Sequence, residues 1–343
     1  NVALPESIGG EYQIVVVVDD EPKDAAHVKA LTEALTVAYP MLNQPEPWFT
    51  LSWIDVDDVN YLTKKNRNLI LLANRQSFGK VRQMAREIFG DAAIEAMEQN
   101  PDEYMIMGSN AWVRPQNVMY LADENAGVLA ERIEKDGGKI LSYFEKKEFS
   151  RIHYNLFKHN LQKDLQANLE TSLGVSIKVP EIYKAAVLGV ENPLELYQEI
   201  GIGGFKWYFS NSRQAFNNVA IWSMPYTDTA QLTMMGIVKA RDSVLKHFIP
   251  CEDEGSYMGT EIRFKDVEPK SEVVKLNGKY AVRTTGFWKA VNGFQGGPFV
   301  NYVVVDEANK RLVYIDGSVA AKGQPKKKFI VRLKAILSTL TIL

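Results

Sequence analysis

Apolar residues recur along this chain with two periods, and each change of period marks an element. EYQIVVVVDD (11–20) is an unbroken apolar run, the signature of a strand buried on both faces. After Pro22 the apolar positions Val28, Leu31, Leu35 and Ala38 are spaced 3, 4 and 3, which predicts a helix ending before Pro40. PMLNQPEP (40–47) is a proline-rich loop, and WFTLSWIDV (48–56) and NLILLA (68–73) read as strands. Residues 77–100 carry a helical pattern with Ser77 as the N-cap. YMIMGSNAWV and NVMYLAD follow as strands. From about 125 to 172 the pattern is helical, with kinks expected at Gly137-Gly138 and at EKKEFSR, and it bridges two halves of the chain.

The second half opens with LGVSIKVPEIYKAAVL (173–188), strand-like around Pro180, and FKWYFSN and NVAIWSMPY predict a strand pair. AQLTMMGIVKARDSVLKHFIP (230–250) predicts a helix closed by Pro250. A meander follows: GTEIRFKDV, then VVKLNGKYAVRTTGFWKAV with the hairpin signal Asn277-Gly278, then FVNYVVVD and RLVYIDGSVA joined by EANK. The last helix, 325–340, sets Phe329, Ile330, Leu333, Ile336, Leu337 and Leu340 on one stripe, as needed to cover a sheet face. The expected class is α+β: two α/β sandwich domains with mostly antiparallel sheets, at residues 1–165 and 166–343.

Composition adds exclusions. The 343 residues suit two domains, and 46% hydrophobic content is enough for real cores. Forty basic residues against 42 acidic ones favour neither nucleic acid nor an anionic membrane as a partner. The single cysteine, Cys251, excludes an internal disulfide or a Cys-based zinc site. No run of about 18 apolar residues is present to cross a membrane as a helix. The chain begins NVALPESIGG, without Met or a signal sequence, as a chain whose export signal has been removed would.

The glycine-rich stretch GFWKAVNGFQGGPFVNYVVVD (286–306) is the first candidate for chemistry. A phosphate cradle needs a helix after its glycines and a Lys-Ser/Thr pair; here a strand follows and the pair is missing. It reads instead as a strand–loop–strand connection with glycines at positive φ; its aromatics Trp288, Phe294 and Phe299 either pack in the core, the commoner outcome, or leave aromatic surface open to a partner. His27, His153, His159 and His247 form no HxxxH or HExxH pair. Cys251 is flanked by Glu252, Asp253 and Glu254, which oppose thiolate formation, and His247 is the one local candidate base. That acidic loop, like DVDDV and VDDEPKD, lacks calcium-loop spacing. No GxSxG or SxxK motif occurs. KGQPKKKF (322–329) reads as a solvated helix start, with contact to anionic lipid or glycan as the weaker alternative. No cofactor is implied.

LPESIGGEYQIVVVVDDE (4–21), QPEPWFTLSWI (44–54), KARDSVLKHFIPCEDEGSYMGTE (239–261) and residues 286–319 together resemble a family of bacterial lipoproteins of the Bacteroidetes type, a domain of unknown function. The resemblance implies export and a lipid anchor on a cysteine upstream of residue 1. From residue 173 onward, GVSIKVPEIYKAAV, FVNYVVVDEANKRLVYIDGSV and the closing helix are similar in order to the PsbP/Mog1-like sandwich. The expectation is an envelope binding or assembly module, facing an envelope protein or a glycan and touching the membrane only through its anchor. Its contact surface is placed at Glu254, Gly255, Tyr257, Trp288, Phe294, Gly296, Gly297 and Phe299. The alternative is a hydrolase or carbohydrate-active enzyme using paired carboxylates in an interdomain cleft.

Overall fold

A computed structural model describes residues 3–75 and 79–343, so the N-cap expected at Ser77 lies outside the described residues. Its contacts divide the chain into a first unit, residues 1–39 and 47–150, and a second, residues 40–46 and 151–343.

The first unit runs β1 (Gln13–Val18), α1 (Ala26–Thr36), β2 (Thr50–Asp55), α2 (Tyr61–Lys64), β3 (Asn68–Asn74), α3 (Lys80–Phe89), α4 (Asp91–Gln99), β4 (Met105–Ser109), β5 (Asn117–Asp123) and most of α5 (Ala126–Phe157). Among the described residues the sheet order is β2-β1-β3-β5-β4. β1 pairs in parallel with β2 and β3, and β3 with β5; only β4 is antiparallel. Antiparallel pairing, expected in both halves, therefore gives way here to helical crossovers. The apolar runs of β1, β3 and β5 fit this, because a strand covered on both faces needs no alternation. Val15, Val17, Leu69, Leu71 and Tyr120 pack against Val81, Ala85, Ile94 and Met97 of α3 and α4. The predicted helix 77–100 is broken at Gly90, whose φ of 86° and ψ of 151° are non-helical. Gly137 and Gly138 do not interrupt α5. A Cβ on Gly137 would stand 2.9 Å from the Ala34 Cβ, so this glycine admits a close approach of α1 and α5.

The second unit continues with α6 (Lys163–Leu173), β6 (Val175–Ser176), β7 (Lys184–Ala185), α7 (Pro193–Glu199), β8 (Gly204–Asn211), β9 (Phe216–Pro225), α8 (Met234–Phe248), β10 (Tyr257–Thr260), β11 (Lys270–Leu276), β12 (Lys279–Val291), β13 (Gly296–Asp306), β14 (Arg311–Ala320), α9 (Lys327–Leu337) and β15 (Thr341–Ile342). Its large sheet is antiparallel, in the order β10-β12-β13-β14-β9-β8-β7, with β11 also on β12. Ile237, Val244, Leu245 and Phe248 of α8 cover one face. On the other, Leu333 and Leu337 of α9 meet Gly317 of β14. The hairpin turn is as predicted, with φ of 46° at Asn277 and 83° at Gly278. The α+β class expected from the sequence is thus present, with antiparallel pairs predominating.

Three further expectations change. The long helical stretch stops at Phe157 because the chain turns aside to pair with 179–183: the Gln162 N–H donates to the Val179 carbonyl at 2.9 Å. Around Pro180, which offers no N–H, strand character shrinks to β6 and β7. The basic start of α9 is not simply solvated. The Glu46 carboxylate accepts the N–H groups of Lys326 (2.5 Å) and Lys327 (3.2 Å), an anionic cap on a helix N-terminus.

Candidate functional site

β12 and β13 are joined by a four-residue tip, 292–295, in which Asn292 takes the left-handed conformation at φ 62°. The neighbouring glycines do not take the positive φ that the sequence predicts for them; they make room. Gly286 lies opposite Phe299, and a Cβ there would sit 2.8 Å from the Phe299 ring. Gly297 lies opposite Trp288, and a Cβ there would sit 2.0 Å from the Val319 carbonyl oxygen. That carbonyl accepts the Trp288 Nε1–H at 3.0 Å. Each glycine thus seats a cross-strand aromatic. Trp288 is 3% exposed and Phe299 1%, so both rings belong to the core and neither presents its face to a partner. Phe299 also stacks on the buried Arg241 guanidinium, 4.1 Å from ring centroid to Cζ.

Phe294 is the opposite case: its side chain is fully exposed at the tip. The acidic loop holds this tip in place. The Phe294 N–H donates to Asp253 Oδ2 at 3.4 Å, and the Glu252 N–H to Gln295 Oε1 at 3.3 Å. Within the loop, the Ser256 N–H donates to the Asp253 carbonyl at 3.0 Å and the Cys251 N–H to the Ser256 carbonyl at 3.3 Å. Gly255 has φ 72°, and Glu254 and Gly255 are exposed. Tyr257, half-buried, opens β10 opposite Val291. The structure therefore joins by hydrogen bonds two loops some 40 residues apart, both of which the sequence placed on the contact surface. Of the predicted contact residues, Glu254, Gly255, Phe294 and Gly296 lie open on this face, Tyr257 partly so, and Trp288, Gly297 and Phe299 lie beneath it.

Cys251 sits half-buried at the loop base. Burial first, then Asp253 and Glu252, push its thiol up to about 11. The thiol is therefore protonated near neutrality and is no nucleophile there.

Beside the tip lies a groove of about 690 Å³, lined by Pro40–Asn43, Glu261, Phe264, Val267, Lys270, Phe287–Lys289 and Phe294–Gly297. Sequence patterning missed several of these. GTEIRFKDV reads as a strand, but β10 ends at Thr260, and the Glu261 N–H donates to the Phe287 carbonyl at 2.8 Å. Glu261 accepts from Arg263 Nη2 at 2.6 Å and lies 3.4 Å from Lys289 Nζ. Arg263 above all holds the Glu261 carboxyl down at about 2, so it stays charged. The only sequence signal for the far wall is the proline-rich loop. Among the described residues no three His, Cys, Asp or Glu side chains cluster to hold a metal ion.

Residues 162–339 match the model of the domain of unknown function DUF4837. The chain belongs to that family. Residues 7–157 match a second domain of unknown function, DUF8532. Comparison with curated proteins found no match. Among solved structures, a mutant of protein Mog1 is similar at a TM-score of 0.30 and 10% identity, over 49% of this chain and 90% of that one. The Saccharomyces cerevisiae Ran-binding protein Mog1p is similar at 0.30 and 9%, over the same shares.

Proposed function

We propose that the DUF4837 unit is a docking module that inserts Phe294 into an apolar socket on a partner protein. The observation that carries this is an exposed phenylalanine on a hairpin tip clamped by a second loop. Leaving such a ring in water forgoes about 1.5–3 kcal/mol of burial. A clamped tip also loses little entropy on binding. The carboxylates of Glu252, Asp253 and Glu254 beside it favour a socket ringed with Lys or Arg, and disfavour an anionic lipid surface. The proposed setting is the cell envelope, with the anchor upstream of residue 1 that the lipoprotein resemblance implies; palmitate labelling of the full-length protein tests that setting. A glycan lying in the neighbouring groove is the competing occupant.

The contact itself is tested with a photo-cross-linking amino acid placed at Phe294 in cells. The control position is Leu194, also exposed but on α7. The expected result is a discrete protein adduct at 294, absent at 194, that disappears on charge reversal by Glu252→Lys with Glu254→Lys. No adduct above the control, a glycan adduct, or indifference to the charge reversal would each overturn the reading.

A further inference from the structure

We propose that the outer edge of β4 in the first unit is a second docking site, which accepts an extended acidic peptide as an added strand. β4 ends its sheet, and among the described residues no strand pairs with its far side. The Tyr104 carbonyl accepts the Ala122 N–H at 2.9 Å, and the Asn110 N–H donates to the Gln116 carbonyl at 3.0 Å. Antiparallel pairing alternates, so Tyr104, Ile106, Gly108 and Asn110 turn their backbone groups toward β5. Met105, Met107 and Ser109 therefore turn theirs outward. Sheets blunt such an edge with a charge, a proline or a bulge. The sequence MIMGS has no charge and no proline, and Met107 is 52% exposed.

Those same outward-facing residues project their side chains toward α5. Met105, Met107 and Met119 floor a groove of about 610 Å³ whose wall is Ser142 and Tyr143. Its rim carries Lys139, Lys146 and Lys147, and no carboxylate is among its lining residues. Lys139 is engaged by Asp136 at 2.6 Å, and Lys147 lies 5.6 Å over the Tyr143 ring; Lys146 and Lys147 are exposed. A strand added about 4.8 Å beyond β4 satisfies the free backbone groups and sends alternate side chains into the groove. Methionines adapt their shape to varied apolar side chains, and the lysines select for carboxylates. An acyl chain fits the apolar floor but leaves the backbone donors of Met105 and Met107 without acceptors, so the peptide is favoured.

The test uses the full chain and a fluorescein-labelled octapeptide, Thr-Val-Thr-Glu-Thr-Val-Thr-Glu, whose Val and Glu side chains share the face that meets the groove, with a Val/Lys version and an N-methylated Val/Glu version as controls. The Val/Glu peptide should bind about tenfold or more tighter than either control at low salt, and more weakly as salt rises. Hydrogen exchange at Met105, Met107 and Ser109 should slow on binding. Met107→Pro removes an outward N–H that the sheet does not use, and should weaken binding about tenfold. Lys146→Glu, an exposed change that leaves the edge intact, should weaken it several-fold. Equal binding of all three peptides, no protection along β4, or indifference to both variants would overturn the proposal. So would displacement of a fluorescent fatty acid by oleate with no peptide binding. Phe294 lies outside this test, so its outcome is independent of the docking module.

Discussion

Beneath α8 the second unit buries an ion pair whose removal gives a quantitative test of its core. Arg241 Nε donates to Asp316 Oδ2 at 2.7 Å and Nη2 to Oδ1 at 3.3 Å, while Nη1 donates to Thr260 Oγ1 at 3.1 Å. Arg241 is fully buried and Asp316 nearly so. Asn301 Nδ2 adds a 3.2 Å bond to Asp316 Oδ2. Arg241→Met leaves the Asp316 carboxylate in the core without its countercharge. Breaking a buried pair from one side costs about 3–5 kcal/mol. Loss of the stack on Phe299 places Arg241→Met at the upper end of that range. In a unit of this size that lowers the melting temperature by about 6–20 °C. Removing both charges, Arg241→Met with Asp316→Leu, takes away the uncompensated carboxylate but leaves the buried Asn301 Nδ2 without its acceptor, so the double variant should lose about 1–3 kcal/mol, less than Arg241→Met alone. The assay is calorimetry with urea titration of the two single variants and the double variant, read by hydrogen exchange so that each unit is followed by itself. A coupling energy of at least about 2 kcal/mol is expected. A loss under about 1 kcal/mol for Arg241→Met, or additive single effects, would refute the reasoning.

Four further outcomes follow from the packing and from the raised Cys251 thiol. Gly297→Ala forces a Cβ to 2.0 Å from the Val319 carbonyl and displaces the acceptor of the Trp288 indole; a loss of about 3 kcal/mol or more is expected in urea, against about 1 kcal/mol for Gly255→Ala in open space. Gly137→Ala gains about 1 kcal/mol of helix propensity but meets the Ala34 Cβ at 2.9 Å, so the net sign in a melting experiment should be destabilising. At pH 8, alkylation of Cys251 by iodoacetamide should run about a hundredfold slower than for a free thiol, because two pH units separate their ionisation. The Cys251 thiol is raised to about 11 from an ordinary value of 9.0. A raised value means that folding favours the protonated form, so this group's contribution to stability is complete below pH 9 and is lost as pH rises toward 11. A Cys251→Ser variant should lack that alkaline slope in a urea series.

Much of the secondary structure was legible. β1, β3, β5 and the meander from β11 to β14 lie where the apolar runs and the Asn277-Gly278 turn placed them, because a covered strand and a two-residue turn are local requirements. The predicted stripe is buried: Phe329, Ile330, Leu333, Ile336 and Leu337 on α9, and Leu340 just beyond its end. Helix ends were less legible. Neither the break at Gly90 nor the stop at Phe157 follows from periodicity, and the second depends on pairing with residues about 20 positions later. At the candidate site, the two loops were assigned to one surface, but the hydrogen bonds from Phe294 to Asp253 and from Glu252 to Gln295 that join them were not legible. The aromatics were misjudged in part: nothing local distinguishes Trp288 and Phe299, which are seated over glycines of the neighbouring strand, from Phe294 at the tip.

The sequence by itself determined the alternation of elements, the α+β class and the neutral charge balance, since these depend on spacing and composition within short windows. Only the tertiary structure decided that the first sheet is largely parallel, that Glu46 caps α9, and that Asp253 holds Phe294 in the open. The physical reason is the same in each case. Strand pairing and side-chain hydrogen bonds across tens of residues depend on which surfaces meet, and the local pattern of hydrophobic and polar positions carries no term for that.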